Sequence, residues 1–317
     1  MMLFNIILTF IILISSSLTT LIAFTLLFIL VIHLSQKKDV ALLLATNTYA
    51  AMIAFSLIFL SQALIALKAD LYGIDKKLIG CQVLGFLTYE TFGCLYMTFV
   101  LQAFHRLTRV VYNKYKFLQA FSFNLICILL QWVICFLLIL PSYFWPGPLY
   151  SFYESDYYCG IRYEKILGLS YTIINIFFVP LVHLMIIYAR LLHFIRYQAS
   201  QLSQERQRRR AHRDLIVIRR ILFTVIALTL PGIPNVVFAI MTNIDFRFSG
   251  SYYMYRIQFL GPAVTVFILS IAIIFITPQI KQILMKLKLC NSQVAPMILQ
   301  IRELKHPSVL LPMPIQI

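Results

Sequence analysis

Charge and glycine are both scarce in this chain. Only 12% of its 317 residues are Asp, Glu, Lys or Arg. A soluble domain carries about a quarter. Ten glycines leave long apolar runs uninterrupted. Segments of alternating polarity are lacking, which excludes a membrane β-barrel. Asn-x-Ser/Thr sequons are lacking too, so no N-glycan is expected. The first apolar run has no basic leader, and Leu3 to Val31 is too long for a cleaved signal peptide, so it reads as a true span. Nowhere is there a nucleophile–base pair, a metal-ligand cluster or a phosphate loop, so the chain is expected to be no enzyme and to hold no metal or cofactor. Neither an internal repeat nor many intramembrane charges appear, which counts against a transporter or channel.

What is present is hydrophobicity, 61% of residues, with a mean hydropathy of +0.86. The pattern predicts an all-α membrane protein with seven spans, about 5–33, 40–67, 78–104, 118–142, 167–192, 215–242 and 256–277. The stretch 278–290 has Ile280, Ile283, Leu284 and Leu287 at helical spacing among lysines. It is expected to lie in the membrane interface as a short amphipathic eighth helix. Residues 1–290 then form one seven-span domain, and 291–317 a disordered tail.

The formal charge is +16. On a soluble protein that would suggest nucleic acid. Here twenty of the 27 bases and only four of the 11 acids fall in the first, third and fifth connections and the tail. The remaining seven bases and seven acids cancel, so the charge marks topology instead. The positive-inside rule makes the basic side cytoplasmic and the N-terminus extracellular. Ser200 to Arg213 suits both attraction to an anionic inner leaflet and docking of an acidic cytosolic partner.

Cys81 and Cys159 fall on the expected outer side, where an oxidising compartment favours a disulfide; two free thiols are the alternative. Cys290 is a juxtamembrane palmitoylation candidate. Glu90, inside the third span, is either a functional carboxylate or one simply protonated or hydrogen-bonded to a neighbouring helix. Glu154, Asp156 and Glu164 suit a cationic or peptide ligand, or simply a solvated loop.

Several spacings then align. Arg106 falls 25 residues after Cys81, in Phe104-His105-Arg106-Leu107. Trp132 is followed nine residues on by Pro141, and Pro180 eight residues on by Tyr188. Leu228-Thr229-Leu230-Pro231 keeps a span-six proline, and Phe275-Ile276-Thr277-Pro278 closes the seventh span. In these features the whole chain resembles a rhodopsin-like G-protein-coupled receptor, of a divergent orphan or chemosensory branch. His105 and Leu107 stand in place of the acid and tyrosine that flank the family's arginine. Thr229 replaces its span-six tryptophan, Thr48 its sodium-site aspartate, and Leu269, Ser270 and Ile273 its Asn-Pro-x-x-Tyr.

The resemblance implies a plasma-membrane receptor that passes an extracellular ligand signal to a heterotrimeric G protein. A receptor-like protein without coupling and a small-solute transporter are the alternatives. The ligand-binding candidates are Thr88, Tyr89, Phe92, Glu90, Asn175 and Asn235. Helical phase from Cys81 favours Thr88, Tyr89 and Phe92, and Thr88 in an aspartate's place disfavours an amine ligand. The switch and G-protein face is expected to hold Arg106, His105, Asp214, Tyr188, Arg219 and Arg220. With His105 unable to act as counter-ion, Asp214 is the candidate latch for Arg106, worth about 1 kcal/mol or less. Pro231, Pro234 and Pro180 are hinge candidates, because proline deletes a backbone hydrogen bond inside a helix.

Overall fold

The computed structural model describes residues 2–72, 80–153, 156–161, 163–201, 229–244, 254–277 and 279–285. It is mostly helical. The helices are α1 (Met2–Gln36), α2 (Val40–Tyr72), α3 (Cys81–Val110), α4 (Phe121–Tyr143), α5 (Ile166–Ile173), α6 (Val179–Gln201), α7 (Ile233–Ile244) and α8 (Met254–Ile276). A π-helical turn, Ile174–Phe178, joins α5 to α6 in one continuous rod. Six of these segments are long and apolar enough to cross a bilayer: α1, α2, α3, α4, the α5–α6 rod and α8. In the expected sixth span only 229–244 are described.

Why helices, and why in lipid, follows from the same residues. Leu, Ile, Phe and Ala run without interruption, and a bilayer requires each backbone group to be satisfied inside its own segment. The bundle surface is apolar: Leu21 is 65% exposed, Phe24 62% and Leu129 61%. Patches of that size would aggregate in water and are stable only against lipid chains. The chain is therefore a multi-pass membrane protein.

Between the helices, small and polar side chains do the joining. Thr20 Oγ1 meets Ser56 Oγ at 2.8 Å across α1 and α2. Asn47 of α2 donates to Gln131 Oε1 (2.9 Å) and accepts from Trp132 Nε1 (2.9 Å), while Gln131 donates to the Cys94 carbonyl (3.1 Å). These bonds tie α2, α3 and α4 at mid-depth, the kind of interhelical polar link that replaces the hydrophobic effect in lipid.

At one end of the bundle a two-stranded antiparallel hairpin, β1 (Tyr150–Tyr153) and β2 (Tyr158–Ile161), pairs Phe152 with Cys159. Cys159 is bonded to Cys81, with Cα atoms 5.3 Å apart. The hairpin sits directly on α3 because Gly85 leaves room: a Cβ there would lie 3.0 Å from the Tyr150 ring. This is the disulfide end. The other end, where α3 carries Arg106, is the arginine end. The chain divides into two units, Met1–Ile276 and Thr277–Ile317, and in the second residues 279–285 are helical. Cys290 and 291–317 lie outside the described residues, as do Glu154, Asp214, Arg219 and Arg220.

Candidate functional site

A small cavity of about 30 Å³ lies beneath the hairpin, among α2, α3, the α5 rod and α8. Thr88, Tyr89 and Phe92 of α3 line it, with Phe177 from the π-turn and Gln258 and Phe259 from α8. Its wall is aromatic: Phe92 and Phe177 have ring centroids 5.3 Å apart, and Phe59 and Phe259 5.2 Å. Its polar atoms are neutral. Gln258 Nε2 donates to Tyr89 Oη at 3.0 Å, and Tyr163 Oη donates to Gln258 Oε1 at 2.5 Å. Thr88 Oγ1 donates to the Leu84 carbonyl (2.8 Å) and accepts from Gln62 Nε2 (2.8 Å).

Beside the cavity the hairpin forms a roof. Gln62 holds it as a surrogate strand would, accepting from the Cys159 N–H (2.9 Å) and donating to the Cys159 carbonyl (3.0 Å). Tyr153 stacks on Tyr255 at 3.6 Å and Tyr158 on Phe259 at 4.8 Å. Burial pushes the Tyr153, Tyr158 and Tyr163 phenols above their ordinary pKa, so these hydroxyls stay neutral.

Beside the roof lies a buried charge cluster. Arg256 at the start of α8 is fully buried. Its guanidinium pairs bidentately with Asp70 of α2 (2.7 and 2.8 Å), and its Nε lies 3.4 Å from Asp156 of the hairpin turn. It also donates to Thr9 Oγ1 (2.7 Å) and the Asn5 carbonyl (2.9 Å) of α1. Asp156 in turn accepts from the Tyr255 N–H at 3.3 Å. Asp156 is thus neither a solvated loop acid nor a free ligand group, but part of a clasp joining α1, α2, α8 and the hairpin. The sequence offered one signal for it, an arginine at the edge of an apolar run, where a partner is obligatory.

Glu90 and Asn175 do not reach the cavity. Glu90 is one residue, or about 100° of helical turn, beyond Tyr89, and its Oε1 accepts from the buried Cys94 thiol at 3.0 Å. Asn175 donates back to the Tyr171 carbonyl at 2.8 Å. The side chains of Asn235 and Pro231 lie outside the described residues. The prolines coincide with departures from α geometry. Pro180 has no N–H for the Ile176 carbonyl, and the chain just before it widens into the π-turn. Pro231 lies in a 3-10 turn, Leu230–Gly232, where α7 begins. Gly232 makes the two features meet: a Cβ there would lie 3.2 Å from the Phe177 ring.

At the arginine end, α3 packs on α6 through Leu107, Tyr188, Leu191 and Ile195. His105 is buried and Arg106 half-buried. Arg106 Nη1, His105 Nδ1 and Tyr188 Oη are buried without a hydrogen-bond partner. Among the described residues no carboxylate pairs with Arg106.

No protein-family model matches the chain, and no characterised protein does.

Proposed function

We propose that the chain is a seven-span receptor of the plasma membrane, its N-terminus outside, that couples a ligand in the roofed cavity to a heterotrimeric G protein at the arginine end. The observation that carries this reading is the character of α3. One helix lines the cavity with Thr88, Tyr89 and Phe92 and, fourteen residues past Phe92 (about 21 Å along the axis), buries the partnerless Arg106 nitrogen against α6. A buried guanidinium nitrogen without an acceptor is costly. A carboxylate or carbonyl presented by a cytosolic partner relieves that cost, and a ligand that favours the same arrangement raises affinity for the partner by linkage.

Phe177 supplies the transmission. It lines the cavity and touches Gly232 in the 3-10 turn of span six, so a ligand that displaces the ring shifts the base of α7. The basic connections face the anionic inner leaflet. Nucleotide exchange on purified heterotrimers, driven by the protein in nanodiscs, tests the reading. Exchange above empty nanodiscs for at least one α-subunit class supports it. Exchange at background for every class, or ion flux through reconstituted vesicles, overturns it.

A further inference from the structure

The cavity's hydrogen-bond inventory defines what can enter it. The thirds of that inventory are Tyr89, Gln258 and the threonines. Thr88 has given its proton to Leu84, and Thr172 has given its own to the Gly168 carbonyl at 2.9 Å. The Gln258 carbonyl oxygen is taken by Tyr163. Tyr89 Oη accepts from Gln258 Nε2 and from the backbone at Ile161. What remains is donors: the Tyr89 phenolic proton, with no acceptor among the described residues, and the second N–H of Gln258. A phenol gives one hydrogen bond and an amide nitrogen two.

Charge is excluded by the same lining, which holds no acid and no base. The nearest buried cation, Arg256, lies two residues before Gln258 and is already matched by Asp70 and Asp156. A carboxylate or an ammonium would therefore lose its hydration with no opposite charge to replace it. Volume adds a condition. About 30 Å³ holds a water or two, whereas benzene occupies an engineered cavity of roughly 150 Å³. A ring-sized guest enters only as a ring is displaced, and Phe177 is the ring on the widened turn.

Resting on the reading of this cavity as the ligand site, we propose that it takes an uncharged apolar molecule bearing one carbonyl-type acceptor, which receives the Tyr89 proton while its body packs among Phe92, Phe177 and Phe259. With no charged group in the lining, the guest is lipophilic.

Five near-isosteric probes test this on the purified protein in nanodiscs: acetophenone, 1-phenylethanol, ethylbenzene, 1-phenylethylamine and benzoate. The readout is the concentration of each that raises Tm by a fixed amount, with wild type and Tyr89→Phe side by side. Acetophenone is expected to act at the lowest concentration. One neutral hydrogen bond separates it from ethylbenzene by up to about tenfold. The amine and benzoate are expected to be weaker by roughly a hundredfold or more. Tyr89→Phe should erase the advantage of acetophenone over ethylbenzene and leave the ethylbenzene shift in place, which controls for partition into the lipid. Equal action of amine or benzoate, an acetophenone advantage that survives Tyr89→Phe, or no shift with any probe would overturn the proposal. The assay contains no G protein, so its failure and a failure of coupling are read separately.

Discussion

The two ends of α3 treat a buried arginine in opposite ways. At the Cys81 end a fully buried arginine meets two carboxylates, a hydroxyl and a carbonyl, and a glutamine satisfies both backbone groups of Cys159. At the Arg106 end no carboxylate among the described residues pairs with the arginine; buried atoms without a hydrogen-bond partner occur at both ends, on Arg106, His105 and Tyr188 at this one and on Asn5, Arg256 Nε, Tyr153 and Tyr158 at the other. The first end is built to stay as it is. The second has no carboxylate for its arginine among the described residues, and it gains from whatever supplies one. That asymmetry suits a receptor that is fixed above its ligand and remade at its partner face.

The largest expected effect comes from unbalancing the clasp. Asp70→Asn leaves Asp156, at 3.4 Å, as the one carboxylate facing Arg256 among the described residues, and breaking a buried pair costs about 3–5 kcal/mol. Thermal unfolding of the purified protein should fall sharply or folding should fail; an unchanged Tm would mean that the clasp is dispensable. Cys159→Ser comes next, since loss of the 78-residue link costs roughly 2–5 kcal/mol. The same scan with and without reductant on the wild-type protein checks it, and reductant should lower Tm in the wild type only. Gln62→Leu removes partners from both backbone groups of Cys159. A cost of about 1–3 kcal/mol is expected, and a neutral Gln62→Leu would show that the roof does not depend on it. Tyr188→Phe is the smallest. Its hydroxyl has no partner, so stability should stay within about 0.5 kcal/mol; a larger loss would reveal a bond that the comparison denies.

How far the sequence reaches also differs between the two ends. The helices were legible because apolar length is a local signal, and α1 to α4 appear within a few residues of their expected bounds. The helix ends were less so: α3 runs on to Val110, which puts His105 and Arg106 inside it. Helical phase favoured Thr88, Tyr89 and Phe92, and these line one cavity; Glu90, also a candidate from the sequence, does not and bonds Cys94 instead. The clasp was not. Asp70, Asp156 and Arg256 are separated by 86 and 100 residues, and pairing at that range is decided by tertiary packing. The π-turn was half visible, in that Pro180 marked the place but nothing local distinguishes a wide turn from a kink. The expected Arg106–Asp214 latch lies outside the described residues.

The central claim concerns Arg106, and one paired measurement on a single variant tests it most directly. Arg106→Leu is assayed for thermal stability and for nucleotide exchange on whichever heterotrimer the wild type proves to activate. Removing a buried nitrogen that has no partner should leave Tm unchanged or raise it, while exchange falls to background. Exchange at the wild-type rate, or a loss of stability as large as that of Asp70→Asn, would contradict the account.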